Sequence, residues 1–305
     1  MTQYIIKKLL LMIPLLIGLT LIVFLILHLA PGDPVDLMVG PNVTPEVYEN
    51  VRNKLGLDKP LYVQYFTFLK NVLRGDLGTS ILKNVPVKDL IAERFPITLK
   101  LGVLSLLVSF AIAIPIGIQA AKYRNTPVDY LSMTFALVGI SIPTFGFGLT
   151  LLYIFAYKLR WFPVSGHDTL LHLVLPVFTV GLTDAAVTAR MVRSSMLEVM
   201  GEDYIRTARS KGLSEKVVMN KHALKNALIS VITLLGMRMG WILGGSAILE
   251  TVFSIPGLGR LMVDGIFSRD YPVVQGSMLV LGVSVLVGNL IADILYALVD
   301  PRIKY

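Results

Sequence analysis

The 305-residue chain has no cysteine, only four histidines and only two tryptophans. Without cysteine there is no disulfide, no thiolate metal ligand and no sulfur nucleophile. The histidines (His28, His167, His172 and His222) lack metal-ligand spacing. Neither an HExxH metal signature nor a GxxxxGKS/T phosphate loop is present. If the protein does energised work, the nucleotide chemistry sits on another chain. Charge is the other scarcity. Asp, Glu, Lys and Arg together make up 16% of the residues, against roughly 25% in soluble domains. Hydrophobic residues make up 54%, and the mean hydropathy is +0.71. That is too little charge to coat a soluble globule of this size. Disorder, which needs low hydrophobicity and high charge, is excluded by the same figures. An all-α, polytopic integral membrane protein remains. Acid is scarcer than base, 20 residues against 28, for a net charge of +8. Such an excess can serve nucleic acid, anionic lipid or an acidic partner.

A hydrocarbon core of about 30 Å needs about 20 apolar helical residues. Six stretches qualify: Leu9–Ala30, Ile97–Ala121, Leu131–Tyr157, Leu170–Ala189, Ala227–Leu249 and Val273–Leu298. The first follows Lys7 and Lys8. Its apolar run is too long for a signal peptide and no A-x-A precedes Pro31, so it reads as a retained span. Pro14, Pro115 and Pro143 lie within spans, where kinks are tolerated. With a cytoplasmic N-terminus, the inner segments collect Lys7, Lys8, Lys122, Arg124, eight basic residues between Arg190 and Lys225, Arg302 and Lys304. The short outer loops carry only Lys158, Arg160, Arg260 and Arg269. The positive-inside bias therefore puts both termini of this multi-pass protein in the cytoplasm.

Three regions follow: an N-terminal span (1–30), an extracytoplasmic insert (31–96) and a five-helix core (97–305). In the insert, Thr44-Pro45-Glu46 predicts a helix start by capping and an N1 proline, and Gly56 its stop. A second helix is predicted from Leu61 to Leu73, with Tyr65, Phe66, Leu69 and Leu73 on one apolar face.

The inner loop 190–226 holds eight basic and four acidic residues, so it carries +4, half of the whole excess. Tyr204, Ile205 and Ala208 recur at helical spacing. Gly212 breaks that helix, and Ser214 can cap a second one through Val217, Val218, Lys221 and Leu224. Such a loop is either a solvated or lipid-surface element obeying the charge bias, or a compact knob that docks on another protein.

The run Glu202-Asp203-Tyr204-Ile205-Arg206-Thr207-Ala208-Arg209-Ser210-Lys211-Gly212-Leu213, followed by Lys221-His222-Ala223-Leu224-Lys225-Asn226-Ala227, resembles the coupling loop of binding-protein-dependent ABC importer permeases. The broad pattern of that family is Glu-Ala-Ala, three residues, Gly, nine residues, Ile-x-Leu-Pro. Ala208, Gly212 and Leu224 match it; Arg206 and Thr207 replace its first two residues, and Lys225 its proline. The departures fit the dipeptide/oligopeptide/nickel branch. Ordered motifs extend the resemblance over most of the chain. They are Pro31-Gly32-Asp33-Pro34, 55–62 (LGLDKPLY), 75–80 (GDLGTS), 94–99 (RFPITL), 250–259 (ETVFSIPGLG), 269–272 (RDYP) and 300–302 (DPR). The first permease subunit type, with its insert after span one, is the most similar.

The resemblance implies a type I ABC importer permease fold with six transmembrane helices. It implies a second homologous permease, two cytoplasmic ATPase subunits and an extracytoplasmic substrate-binding protein as partners, with membrane lipid around and no nucleic acid. This chain would then be no enzyme and would bind no cofactor, ATP and Mg being held by the partner subunits. Glu202, Asp203, Tyr204, Ile205, Arg206, Thr207, Ala208, Arg209, Gly212, Leu213, Lys221 and His222 would form the knob in the ATPase groove. The outer loop 251–272 is apolar despite its Gly and Pro. It would either cover its own spans or, through Phe253, Ile255, Pro256, Gly257, Leu258 and Gly259, reach toward the binding protein.

Arg238 falls near the midplane of its span, where a charge is costly. Asp184 and Asp293 are candidate partners, and the three either pair structurally or line the path. A gradient-driven secondary transporter or channel is the rival class, although such proteins usually carry several midplane acids. Ser246 in Gly244-Gly245-Ser246-Ala247 faintly suggests a serine nucleophile, but small-residue helix packing explains the cluster better. Substrate identity stays open between dipeptide, oligopeptide, glutathione, opine and metal chelate.

Overall fold

The computed structural model describes residues 2–29, 35, 44–228 and 247–299. Twelve α-helices are named here among those residues: α1 (Thr2–Leu29), α2 (Pro45–Leu55), α3 (Leu61–Leu73), α4 (Val87–Lys122), α5 (Pro127–Ser141), α6 (Thr144–Leu151), α7 (Leu170–Met200), α8 (Asp203–Ser210), α9 (Glu215–Val217), α10 (Ala247–Val252), α11 (Leu258–Phe267) and α12 (Tyr271–Val299). Helix α6 continues as a π-helical stretch, Leu152–Lys158, and α9 as another, Val218–Ala223. The described residues contain no β-strand, only an isolated bridge between Thr79 and Pro86.

Four helical segments among the described residues are each long and apolar enough to cross a membrane: Ile6–Ile26, Val87–Lys122, Leu170–Met200 and Tyr271–Leu295. The stretch Leu131–Tyr157, expected as one kinked span, is instead two helices, α5 and α6, that meet at 99°. The break itself has a local cause. Ile142 precedes Pro143 and is extended (φ −86°, ψ 126°), because a residue before proline is pushed out of the helical region. Proline also offers no N–H to continue the ladder. The expected span Ala227–Leu249 lies largely outside the described residues, as does Arg238.

Helix α7 is the axis of the assembly, and α4 packs along it. The contact face of α4 is a stripe of Ser105, Ser109, Ala113, Gly117 and Ala121, all buried. A Cβ on Gly117 would sit 2.5 Å from Val192 Cβ, and one on Gly181 would sit 2.8 Å from Val108 Cγ1. Lipid tails are as apolar as leucine, so close backbone approach through small residues holds such helices together.

Helix α4 has 36 residues and is therefore about 54 Å long, far more than a bilayer core. It begins ten residues ahead of Ile97. Its first turns bury Val87, Leu90 and Ile91 against Leu258 and Leu261 of α11 and Val273 of α12, which seats the insert on the core.

Helix α2 starts and stops as expected. Gly56 takes φ 71° and donates its N–H to Asn53. Thr44, however, makes no side-chain capping bond; its carbonyl accepts the Tyr48 N–H instead. Helix α3 matches its expected bounds and only half of its expected face, with Tyr65 and Leu69 half-buried. Phe66 and Leu73 are exposed, Leu73 by 80%. Tyr65 and Phe68 form the packing side, their rings 5.5 and 6.0 Å from that of Phe24 on α1. Thr20 and Tyr65 share a hydroxyl–hydroxyl bond at 3.0 Å, so α1 sets which side of α3 turns inward.

Candidate coupling knob and outer loop

Helix α7 runs on to Met200, so Arg190 and Arg193 belong to its last turns and the knob itself begins at Gly201. In α8, Ile205 and Ala208 point inward. Val218, Met219 and Ala223 of the following stretch meet them, together with Val192 and Met196 of α7, Ala121 of α4 and Ala227. Of the expected neighbours Val217 and Val218, Val217 is exposed and Val218 is fully buried. The π-helical winding from Val218 shifts the apolar face away from a 3.6-residue count. Gly212 joins the helices at φ 76°, a left-handed value that a side chain adopts at a cost. Ser214 caps α9 with its backbone carbonyl, which accepts from Val217 and Val218 at 2.9 and 3.0 Å, and not with its hydroxyl.

Two polar bonds fix the angle of the knob. Arg209 donates from Nε and Nη2 to the two carboxylate oxygens of Glu215, at 3.2 and 2.7 Å. Asn226 donates to the Tyr204 hydroxyl at 2.7 Å. The Arg209 guanidinium holds the Glu215 carboxyl below its ordinary value, with partial burial opposing. It is in turn raised by the carboxylate. Glu202, Asp203, Arg206, Thr207, Leu213 and Lys221 remain exposed, with His222 half-buried. The outcome is a polar tip on a firm apolar footing.

At the knob end of the core, Arg193 forms a two-pronged ion pair with Asp129 of α5, with Nε–Oδ1 at 2.5 Å and Nη2–Oδ2 at 2.6 Å. Asp293 of α12 is half-buried and pairs with Lys8 of α1 at 2.7 Å, an N-terminal partner that the reading of the spans overlooked. Asp184 is buried on α7.

In the loop 251–272, expected as the outer one, Phe253, Ile255, Gly257, Leu258 and Gly259 are buried, and Pro256 is half-buried. Phe253 and Ile255 join a cluster with Leu101, Leu175 and Val177. These side chains cover the protein's own helices, because an apolar loop next to apolar helices buries more surface there than it would in water. The exposed apolar groups of the loop are Ile266 and Phe267, the latter 85% exposed.

The loop is anchored by two buried carboxylates that were not expected as site residues. Glu250, fully buried, accepts the Thr98 hydroxyl at 2.6 Å and the Arg260 N–H at 2.8 Å. Thr98 in turn accepts the Leu258 N–H at 2.8 Å. Together they satisfy N–H groups in the first turn of α11, which have no partner within the helix. Asp270 is also buried; it accepts from the Ser80 hydroxyl and, at 3.1 Å, from the Ile81 N–H. All four side chains sit inside quoted motifs. The missing signal was which motif meets which: 94–99 meets 250–259, and 75–80 meets 269–272.

A family profile described as "Binding-protein-dependent transport system inner membrane component" matches residues 113–305, and its N-terminal companion matches residues 1–102. The glutathione transport system permease protein GsiC of Salmonella typhimurium is 46% identical over 305 residues, covering all of both chains. The GsiC of Escherichia coli is similar to the same extent. Among solved structures, the inward-facing MetNI methionine ABC transporter superposes with a TM-score of 0.60 at 21% identity, covering 69% of this chain and 96% of that one. An amino acid ABC transporter with histidines gives 0.52 at 18%, covering 70% and 94%. These two establish the fold. The chain belongs to the family of binding-protein-dependent transport system inner membrane components and is a permease of an ABC importer.

Proposed function

We propose that the chain forms half of a translocation path for glutathione or a similarly small peptide, a second homologous permease forming the other half. Two cytoplasmic ATPase subunits would hold ATP and Mg, and an extracytoplasmic binding protein would deliver the substrate. Both termini face the cytoplasm in this reading, and the knob 201–226 sits in a groove of one ATPase. Closure of the ATPases then rocks α7, from which the knob extends without a flexible linker.

The observation that carries the reading is the construction of the knob. A merely solvated loop has no use for a cluster of nine buried residues, five of its own and four from α4, α7 and Ala227, whereas force transmission requires a packed base with which the knob moves as one unit. Its outward residues Arg206 and Lys211 suit an acidic groove rim. The substrate class rests on the full-length identity to glutathione permeases.

The test is uptake by the complete complex in proteoliposomes, with glutathione, binding protein and ATP supplied. Reversing Arg206→Glu and Lys211→Glu should cut uptake by more than tenfold while the permease stays folded. Unchanged uptake would remove the docking role. Uptake of a dipeptide but not of glutathione would move the substrate within the peptide branch.

A further inference from the structure

The 99° elbow formed by α5 and α6 packs on α7 and meets a different feature of the protein at each end. Its inner end holds Asp129, whose carboxylate takes the two-pronged bond from Arg193 and also accepts the Asn125 N–H at 3.0 Å. The Asp129 side chain is 3% exposed. Between that point and the bend, α5 has one less-exposed stripe that includes Met133, Ala136 and Gly139. A Cβ on Gly139 would come within 3.0 Å of Ala186 on α7. The other faces of α5 are open, with Leu131, Phe135, Leu137 and Val138 exposed. A helix held by so narrow a strip can roll or slide on α7 unless something fixes its register. The ion pair supplies that fixation, since a guanidinium fork and a carboxylate match in only one geometry.

The far end of the elbow meets the outer loop. A Cβ on Gly148 of α6 would lie 3.0 Å from Phe253 Cε2 and 3.2 Å from Thr179 Cγ2. Leu151 packs in the cluster that contains Phe253 and Ile255. Arg193 stands one residue after Val192, which is buried in the footing of the knob. The elbow therefore spans from the base of the knob to the underside of the outer loop.

We propose that Asp129 and Arg193 are positioning residues that pin the inner end of the α5–α6 elbow to the knob-bearing helix, so that displacement of the knob is delivered through the elbow to Phe253 in the outer loop. The inference rests on the knob being the docking element for the ATPase. Rigid elements with discrete contacts at both ends can carry such coupling, but the warrant is a measured coupling and not adjacency.

The experiment uses the full complex with both permeases, ATPases and binding protein in proteoliposomes. It reads ATP hydrolysis and glutathione uptake side by side for Asp129→Asn and Arg193→Lys. Arg193→Lys keeps the charge and removes the fork, so it decides the matter if Asp129→Asn does not assemble. The expected result is at least a tenfold loss of uptake per ATP hydrolysed, with basal hydrolysis within twofold of the parent. Combining Asp129→Asn with Gly148→Ala should give less than the product of the separate losses, because both break one path. Spin labels at Leu137 and Thr207, which are exposed, should keep a constant separation through the ATP cycle in the parent and lose it in Asp129→Asn. An unchanged ratio of uptake to hydrolysis in both variants overturns the proposal. The Arg206→Glu, Lys211→Glu reversal leaves the pair untouched. If it uncouples while Asp129→Asn does not, the elbow inference fails and knob docking stands.

Discussion

The knob adjoins the apolar helix α7 and the outer loop adjoins α12, yet the two are anchored differently. The knob puts its apolar groups inside (Ile205, Val218, Met219) and its charges at the tip. The outer loop also buries apolar groups (Phe253, Ile255, Leu258), but it adds two buried carboxylates, Glu250 at its start and Asp270 near its end, and leaves Phe267 and Ile266 outside. An apolar footing tolerates small slips, since dispersion and burial are not directional. A buried carboxylate clasping N–H groups does not, because each donor it abandons is left without water. The knob is thus built to be pushed as a unit, and the outer loop to hold one backbone course.

The contrast can be broken first where it is strongest. Glu250→Leu would orphan the Thr98 hydroxyl and the Arg260 N–H, each costing about 1–3 kcal/mol. A large drop in the thermal midpoint of the detergent-solubilised protein is expected, and an unchanged midpoint would refute the clasp. Gly257→Ala acts on the same clasp, since its Cβ would fall 2.3 Å from the Glu250 carboxyl carbon.

Next comes the footing of the knob. Ile205→Ala removes a fully buried side chain and should cost about 2–4 kcal/mol. Faster amide exchange should be confined to residues 203–227, leaving the outer loop protected.

The Arg209–Glu215 bond is a smaller contribution, at most about 1 kcal/mol, because both groups are substantially exposed. Glu215 is held below its ordinary value, so the bond contributes fully at and above the ordinary glutamate range and is lost as pH falls beneath it. The stability gap between the parent and Glu215→Gln should therefore close on acidification; a gap that widened in acid would reverse the assignment. Smallest of all, Phe267→Ser should shift the thermal midpoint by no more than a stability change of about 0.5 kcal/mol produces, as an exposed position does.

Much of this was readable before any coordinates. Thr44-Pro45 and Gly56 bound α2 through proline's fixed φ and glycine's access to the left-handed region, both local properties. Gly212 and Ser214 marked the hinge of the knob for the same reason. The inward side of α3 was not readable, because Tyr65, Phe66, Phe68 and Leu73 are all apolar or aromatic and only Phe24 on α1 selects among them. Pro143 signalled a disturbance, but its size, a kink or a 99° elbow, depends on what α6 packs against. Asp293 offers a carboxylate to any cation in reach, and the approach of α1 to α12 makes Lys8 its partner.

The sequence by itself determined the membrane class, the helix punctuation and the family, because hydropathy, backbone preference and ordered motifs are carried by short stretches of chain. Only the tertiary structure decided that Thr98 serves Glu250, that Ser80 serves Asp270 and that Arg193 grips Asp129. Those bonds join residues 64 to 190 positions apart, and a buried polar group finds its partner only once packing has excluded water from both.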